Sequence, residues 1–278
     1  MYKRQLLTPV RSGMAALALV CVVVCMGEWR QLFALKVRHL AGAGGLALAA
    51  SNLMFVWGQR YVDPATAAVL VSAMPIVSVL MGMVSRVERL TVVLAAGIVL
   101  AAAGGALASI GLQDGASGSR EGSYLGAIVI ATGVVFYVWY SRSMVAVSPQ
   151  VSPLAKAAIS MVMLTLMTLI YAEFAVLFGL VPLEYDLSAR SLLMLAWLGP
   201  VSIGASTVLW FVAGKMVGIT IASMHHNLVP LYVMVIMLLL GGSIEVLTLA
   251  GAGLVIAGAA LAQLPGLDIP KIRKARTS

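Results

Sequence analysis

Charged residues are scarce in this 278-residue chain: they make up 10% of it, whereas apolar residues make up 62%. Soluble globular chains are roughly 25% charged and about 45–50% apolar. The shortage of charge excludes an ordinary soluble enzyme, a disordered protein and a nucleic-acid-binding module. Together with a mean hydropathy of +1.04, it indicates a protein whose main partner is the lipid bilayer.

Cysteine is also scarce. The chain has two, Cys21 and Cys25, spaced i, i+4 on one face of an apolar run. No disulfide scaffold or zinc site can be built from this pair, so we expect both side chains to pack as small apolar groups. The chain also lacks H-E-x-x-H, G-x-S-x-G and phosphate-binding loop motifs. We therefore expect no catalytic residues, no metal site and no cofactor.

Long apolar runs dominate what is present. A helix that spans a bilayer needs about 20 mostly apolar residues. Nine runs fit this length, at residues 12–29, 40–59, 64–84, 91–112, 124–141, 157–179, 191–213, 218–241 and 247–264. The connections between them are short and polar, and none is long enough to fold as a soluble domain. The pattern predicts an all-α polytopic membrane protein in which residues 1–278 form a single integral membrane domain.

Lysine and arginine are unevenly distributed between the loops. Alternate loops and the basic tail 265–278 hold twelve of them, whereas the intervening loops hold only Arg60, Arg120 and Arg190. Cytoplasmic loops are enriched in Lys and Arg, which predicts a multi-pass protein of the cell (inner or plasma) membrane with a cytoplasmic C-terminus. The same count places Met1–Arg11, with its three basic residues, on the outside, which is an unfavourable start for a first helix.

The two halves of the chain are related by an internal repeat. A shift of 155 residues aligns Ser51 with Ser206, Val62 with Val217, Ala67 with Ala222 and Pro75 with Pro230. A shift of 154 aligns Ala96, Gly97, Ala103, Gly104, Ala106 and Leu107 with Ala250, Gly251, Ala257, Gly258, Ala260 and Leu261. The shift spans five helices, and this odd number inverts the second half (about 124–264) relative to the first (about 12–112). Inverted repeats are common in secondary transporters.

Two paired stretches carry a resemblance to a known family. They are YVDPATAAVLVSAMPIVSVLMGMVSRVERLTVVLAAGIVLAAAG and GITIASMHHNLVPLYVMVIMLLLGGSIEVLTLAGAGLVIAG. Both contain small residues, a mid-helix proline, a glutamate and a glycine-rich helix. The first copy matches at Pro75, Glu88, Gly97 and Gly104, and the second at Pro230, Glu245, Gly251 and Gly258. Over roughly residues 10–264 the chain resembles the EamA-type transporters of the drug/metabolite transporter superfamily.

This resemblance implies ten helices, cytoplasmic termini and movement of small metabolites by alternating access, in many members as export. Nine helices of the expected ten are seen here, because the first family helix is missing. Two further departures are Val87, where the family has glycine, and the spacing of Glu245 to Gly251, which is shorter than that of Glu88 to Gly97.

Proline interrupts two equivalent apolar runs, at Pro75 and Pro230. A proline inside a helix removes one backbone hydrogen bond, and the freed carbonyl group needs another partner in lipid. Ser72 and Asn227, each three residues earlier, could supply that partner or face a substrate. Either the prolines are tolerated kinks or they are hinges beside a substrate site, since symmetric interrupted segments point to such a site.

The most polar cluster inside an apolar run is His225, His226 and Asn227. Histidine titrates near neutral pH and could couple transport to protons; a hydrogen bond to a neighbouring helix is the alternative. Glu173 is a second candidate proton carrier, with a place at the outer membrane interface as the alternative. Polar side chains inside a bilayer are costly and usually face a cavity or a partner helix.

Aromatic residues on three apolar runs could line a pocket for an amphipathic organic solute. The candidates are Trp57, Tyr137 and Trp210, and the mid-run Asn52 joins them. The alternative is an interfacial belt or packing between helices. We expect the site to lie between the runs 40–59, 64–84, 124–141, 191–213 and 218–241.

The hypothesis that these observations favour is a secondary active transporter of a small organic metabolite, an amino acid or amphipathic solute, that exports by alternating access. Its partners would be the solute and the bilayer, with no nucleic acid, and the sequence leaves open whether it forms a homodimer. The alternatives are a membrane-embedded enzyme and a truncated fragment that does not transport.

Overall fold

The computed structural model describes residues 3–62, 67, 70–71, 73–87, 91–111, 123–146, 149–179, 188–228, 232, 235–236, 239 and 246–263. Within these ranges the backbone is helical apart from short turns and bends, and no strand occurs. The all-α fold class expected from the apolar runs is confirmed.

Helices occur in every one of the nine apolar runs. The α-helices are α1 (Lys3–Cys25), α2 (Leu35–Gly58), α3 (Met74–Val84), α4 (Val92–Gly111), α5 (Ser123–Ala146), α6 (Pro153–Leu177), α7 (Ala189–Trp197), α8 (Ser206–Val217), α9 (Ile219–Ser223) and α10 (Val246–Gln263). Two 3₁₀-helices cover Trp29–Phe33 and Met224–Leu228, and a π-helix, Leu198–Ala205, joins α7 to α8.

Four helical segments in the described part of the chain are long and apolar enough to cross a membrane. They are Thr8–Cys25, Tyr124–Ala146, Pro153–Leu177 and Leu193–Val217. Shorter apolar helices cover Gly44–Gly58, Met74–Val84, Val92–Leu107 and Leu249–Ala262. The chain is therefore an integral, multi-pass membrane protein.

The chain divides into two compact units. The first unit comprises Met1–Tyr61 and Glu121–Ala222, and the second comprises Val62–Arg120 and Ser223–Ser278. Each unit combines one segment from either half of the sequence repeat. The description of residues 1–278 as a single domain stays a prediction.

In the second unit, α4 and α10 pack backbone against backbone. A Cβ atom on Gly97 would lie 2.7 Å from the carbonyl oxygen of Gly258, and one on Gly104 would lie 2.6 Å from that of Gly251. The repeat makes Gly97 equivalent to Gly251 and Gly104 equivalent to Gly258. Reciprocal contacts of this kind are what a two-fold relation produces. The inverted repeat predicted from the sequence is thus confirmed.

Also in the second unit, Pro75 is buried in the first turn of α3. Proline is well tolerated there, because the first N–H groups of a helix have no intrahelical acceptor. Ala73 forms a turn immediately before this helix, and Leu70 and Val71 before it are helical. The apolar run 64–84 is therefore interrupted just before Pro75.

The first unit is built on close contacts of α6 with α1 and of α2 with α5 and α6. A Cβ atom on Gly13 of α1 would lie 3.4 Å from the Thr165 side chain of α6. On α2, one on Gly45 would lie 2.5 Å from Met163, and one on Gly58 would lie 2.5 Å from Ile130 of α5. Small residues let helices approach closely in a membrane, where van der Waals packing drives association.

The π-helix lies directly against α1. A Cβ atom on Gly199 would lie 2.7 Å from the carbonyl oxygen of Arg11 and 2.9 Å from the Cβ of Met14. Pro200 follows and lacks a backbone donor. π-helical turns inside α-helices frequently occur at functional sites. The glycine therefore brings an irregular backbone segment next to the first turns of α1.

Candidate functional site

Four aromatic side chains of α5 and α8 meet in the first unit; Tyr137, Tyr140, Trp210 and Phe211 are called the aromatic cluster here. The ring centroids of Tyr137 and Trp210 are 5.7 Å apart, and those of Tyr140 and Phe211 are 6.1 Å apart. These tilted and edge-on arrangements are those that aromatic pairs prefer. Tyr137 is half-buried, whereas the other three are buried.

A hydroxyl group fixes the orientation of the aromatic cluster. The indole Nε1 of Trp210 donates a 3.0 Å hydrogen bond to Oγ of Ser141, which is fully buried. Ser141 lies one helical turn after Tyr137 on α5. The structure therefore brings together two of the predicted site residues, Tyr137 and Trp210, and adds Ser141, which the sequence interpretation missed.

The two candidates on α2 lie in different surroundings. Asn52 is half-buried, and among the described residues no group hydrogen-bonds to its buried Oδ1. Trp57 is 41% exposed and packs edge-on against Tyr61, with centroids 5.7 Å apart. Asn52 thus offers an open hydrogen-bond acceptor inside the unit, whereas Trp57 lies near its surface.

Arg11 is a second polar group that the sequence interpretation did not select. It is half-buried on α1 inside the span Thr8–Cys25, and its Nε is buried with no hydrogen-bond partner in the described part of the chain. Its carbonyl oxygen faces Gly199 of the π-helix. Because a charged side chain inside a membrane is costly, such residues usually serve a function.

The two histidines lie in the second unit, on the 3₁₀-helix Met224–Leu228. His225 is exposed, whereas His226 is half-buried and makes a hydrogen bond with the backbone of Ser223. Their rings touch edge-on, with centroids 4.8 Å apart. Met224, just before them, is buried against Val79 and its neighbours.

Glu173 is exposed near the end of α6, one turn before Leu177. It is one of two carboxylate side chains in the described ranges, the other being Glu28. No cluster of three or more potential metal-ligating side chains occurs within those ranges.

Several sequence candidates fall where the structure is not described. Ser72 and Pro230 lie outside the described residues, as do Glu88 and Glu245 of the family pattern. Asn227 belongs to the 3₁₀-helix by its backbone, and its side chain lies outside the description. These candidates stay predictions.

The fold defines the class of this protein: an all-α, multi-pass membrane protein with an inverted repeat. One solved crystal structure, described only as "Crystal structure of protein", matches with a TM-score of 0.77 and 19% sequence identity, over 95% of this chain and 88% of its own. That likeness shows the fold. The search of curated proteins gave no match.

A comparison of the sequence with models of protein families gives separate information. Residues 3–110, which include α1 to α4, match the model of the EamA-like transporter family. The resemblance recognised from the sequence is thus confirmed as a match over residues 3–110, and the likeness in fold to the solved structure extends over most of the chain. Members of this family are membrane transporters of small solutes and not enzymes.

Proposed function

We propose that the protein is a secondary active transporter that exports a small organic metabolite, an amino acid or an amphipathic solute, by alternating access across the cell membrane. The family match supports the general class, and the inverted repeat supports alternating access because many secondary transporters share this plan. The sequence has no phosphate-binding loop, so an ion gradient or solute exchange would supply the energy. The charge distribution of the loops favours a cytoplasmic C-terminus.

One observation carries the assignment of an amino acid as substrate. The buried polar atoms of the first unit without a described hydrogen-bond partner include the donor Nε of Arg11 and the acceptor Oδ1 of Asn52. An amino acid presents the complementary groups, a carboxylate for the guanidinium and an ammonium for the amide oxygen. Buried polar groups left unpaired destabilise a protein, so a ligand that pairs them would bind with favourable free energy.

The aromatic cluster would contact the side chain of the solute. Tyr137 is its half-buried member, and an aromatic surface with nearby hydroxyl groups suits an amphipathic molecule. Pro75 at the start of α3 and the run that contains Pro230 would allow the second unit to bend. Trp57, Ser72 and Asn227 remain further candidates for contacts with the substrate.

Proton coupling is the proposed role of His225, His226 and Glu173. His226, half-buried in a 3₁₀ segment within an apolar run, is the strongest of the three because its surroundings restrict access of water. If it carries the coupled proton, His226→Gln should abolish uptake driven by a pH gradient but preserve solute exchange, which needs no net proton movement. Glu173→Gln, at an exposed position, should reduce uptake driven by a pH gradient less than His226→Gln does, and it should also preserve solute exchange.

The direct test is counterflow in proteoliposomes. Purified protein is reconstituted in vesicles preloaded with one unlabelled solute, and a panel of labelled amino acids and amphipathic metabolites is offered outside. We expect accumulation of at least one amino acid. Absence of counterflow for the whole panel would contradict the proposal, and chemical conversion of a solute without flux would favour the membrane-embedded enzyme instead.

Two matched variants then test the site. Trp210→Phe keeps an aromatic ring but removes the hydrogen bond to Ser141, and it should reduce counterflow about two- to tenfold because such a bond is worth about 0.5–1.5 kcal/mol. Trp197→Phe changes an indole that is 66% exposed on the same helical segment and should leave flux unchanged. An equal loss of counterflow in both variants would show that the aromatic cluster is not part of the substrate site.

A further inference from the structure

The π-helix Leu198–Ala205 occupies the same place in the second half of the internal repeat as part of α2 does in the first. The shift of 155 residues that pairs Ser51 with Ser206 runs through both segments without a gap. The identical pairs are Ala34 and Ala189, Leu40 and Leu195, Ala41 and Ala196, Gly44 and Gly199, Ala50 and Ala205, and Ser51 and Ser206. The two segments therefore contain the same number of residues.

The winding of these two equivalent segments differs. α2 is a continuous α-helix over Leu35–Gly58, whereas in the second half the π-helix separates α7 from α8. A π-helical hydrogen bond spans five residues and an α-helical one spans four, so a π turn holds about one residue more than an α turn. Each residue of an α-helix adds about 100° of rotation. Since no residue is inserted, the π-helix turns every side chain of α8 by about 100° from the direction that a continuous α-helix would give.

This rotation decides which residue of α8 faces α5. In the structure, Trp210 is 7% exposed and donates a hydrogen bond to Ser141, whereas Leu209 is 66% exposed. If the segment were α-helical and α7 kept its place, Leu209 would point where Trp210 points now, and the hydrogen bond to Ser141 would be lost. The winding of Leu198–Ala205 thus determines whether the aromatic cluster is assembled.

A close helix contact alone does not require π winding at this place. Gly199 packs against the backbone of α1, where a Cβ atom would lie 2.7 Å from the carbonyl oxygen of Arg11. Its repeat partner Gly44 also makes a close contact, since a Cβ atom there would lie 3.3 Å from the ring of Tyr140, yet α2 stays α-helical. On the π-helix, Val201 is 45% exposed, which leaves room on that side for the backbone to turn.

Two hydroxyl groups support the backbone where the π-helix joins α8. The carbonyl oxygen of Ile203 accepts hydrogen bonds from Oγ1 of Thr207 at 2.7 Å, from Oγ of Ser206 at 3.1 Å and from the backbone nitrogen of Ser206. Lipid offers no hydrogen bonds, so a carbonyl group that loses its backbone donor inside a membrane needs another donor. The two hydroxyl groups can supply it while the backbone hydrogen bonds change partners.

We propose that Leu198–Ala205 changes from π to α winding and back during each transport cycle. α8 then turns by about 100°, which moves Trp210 away from Ser141 and separates the rings of the aromatic cluster. The proposal rests on the proposed function, because alternating access requires the surroundings of the site to change in each cycle. The repeat supports it, since the equivalent stretch of α2 adopts α winding with the same number of residues. π-helical turns are also frequent at functional sites.

Deletion of Val201 tests the proposal. One residue fewer converts the π-helix to an α-helix and leaves Trp210 facing Ser141, so the site is kept but its winding can no longer change. We expect the variant to bind the amino acid that the parent exchanges, measured as a rise in melting temperature, and to lose about nine-tenths or more of the counterflow. Counterflow at the parent rate would overturn the proposal and leave the proposed function intact.

Deletion of Leu46 is the matched control, since the shift of 155 pairs Leu46 with Val201 and the two side chains are 55% and 45% exposed. α2 has no π turn to absorb the loss, so this deletion rotates one part of α2 against the other. We expect it to lower the melting temperature by about 10 °C or more, and deletion of Val201 to change it by less than about 3 °C. Equal destabilisation by both deletions would show that Leu198–Ala205 does not accept α winding, which would overturn the proposal.

A second measurement needs no transported solute. With both native cysteines replaced by alanine, Ser141→Cys is combined with either Trp210→Cys or Leu209→Cys and treated with a short thiol-specific cross-linker. We expect both pairs to react in the parent, because Leu209 takes the place of Trp210 in the α winding. Deletion of Val201 should preserve the cross-link to position 210 and slow that to position 209 about tenfold or more, since the rate follows the population of the reactive winding.

Equal rates at position 209 in the parent and in the deletion variant would overturn the proposal. Absence of counterflow in the parent would contradict the proposed function, and the cross-linking rates would still decide whether the winding changes.

Discussion

The helix contact between α4 and α10 in the second unit differs sharply from that between α5 and α8 in the first. The former joins glycines, with Gly97 and Gly104 against the backbone of α10. The latter joins large aromatic rings and one serine, and it includes the hydrogen bond from Trp210 to Ser141. Both helix pairs lie inside apolar runs, so hydropathy alone does not distinguish them.

This difference indicates that the two helix contacts have different roles, one in stability and the other in solute binding. Two backbones that touch through glycine leave no space for a solute and no polar side chain to bind one, so the α4–α10 pair is structural. The α5–α8 pair holds donors, acceptors and ring faces, and the partly exposed Tyr137 belongs to it. Substitutions in the first pair should therefore affect stability, and substitutions in the second should affect flux.

The largest effect is expected for Gly104→Ala. The new methyl group would lie 2.6 Å from the carbonyl oxygen of Gly251 and 2.7 Å from the nitrogen of Val255, and backbone atoms cannot move aside as side chains can. Overpacking of this kind costs about 1–3 kcal/mol, so the melting temperature should fall by about 3–10 °C.

Gly253→Ala is the matched control, because a Cβ atom at Gly253 on the partner helix α10 would meet nothing within 4 Å. Alanine is the better helix former, so this variant should melt at the same temperature as the parent or slightly higher. Equal destabilisation by both substitutions would show that the α4–α10 contact is looser than described, and the proposed division between structural and binding contacts would lose its basis.

A smaller effect is expected in the π-helix. Gly199→Ala would place a methyl group 2.7 Å from the carbonyl oxygen of Arg11, whereas at Gly204 of the same segment the nearest atom is at 3.6 Å. Gly199→Ala should therefore lower the melting temperature and Gly204→Ala should not, with a difference equivalent to about 1–2 kcal/mol. Because Gly199 packs against the backbone of Arg11, Gly199→Ala should also weaken counterflow of an amino acid more than that of an uncharged solute.

Much of the fold could be predicted because its signals are local or repeat along the chain. Runs of about 20 apolar residues mark membrane helices, and all nine predicted runs contain helix. The shift of 154 residues aligns Gly97 with Gly251, and both glycines lie at the contact between α4 and α10. The start of α1 at Lys3, nine residues before the predicted run, was not predictable from hydropathy because its first turns are polar.

The candidate site was less predictable, because its contacts join residues distant in sequence. Ser141 and Trp210 are 69 positions apart, and nothing in either apolar run indicates that the two helices meet at those residues. Ser141 lies four residues after Tyr137, so the two side chains share one helix face, and this spacing could have identified Ser141 as a candidate site residue. The sequence marks Arg11 only as a charge that sets orientation, and the contact of its carbonyl oxygen with Gly199 joins residues 188 positions apart.

The smallest predicted effect concerns the cap of α6. The Ser152 hydroxyl accepts a hydrogen bond from the Ala155 nitrogen at 3.1 Å and donates one to the Glu28 carboxylate, so Ser152→Ala should cost about 1–2 kcal/mol. Ser188 caps the exposed start of α7 with a longer bond of 3.3 Å to the Ser191 nitrogen, and Ser188→Ala should cost less. A thermodynamic cycle of Ser152→Ala with Glu28→Gln should give a coupling free energy of about 0.5–1.5 kcal/mol. A coupling free energy near zero would mean that Ser152 stabilises the fold only as a helix cap and that its hydrogen bond to the Glu28 carboxylate adds nothing.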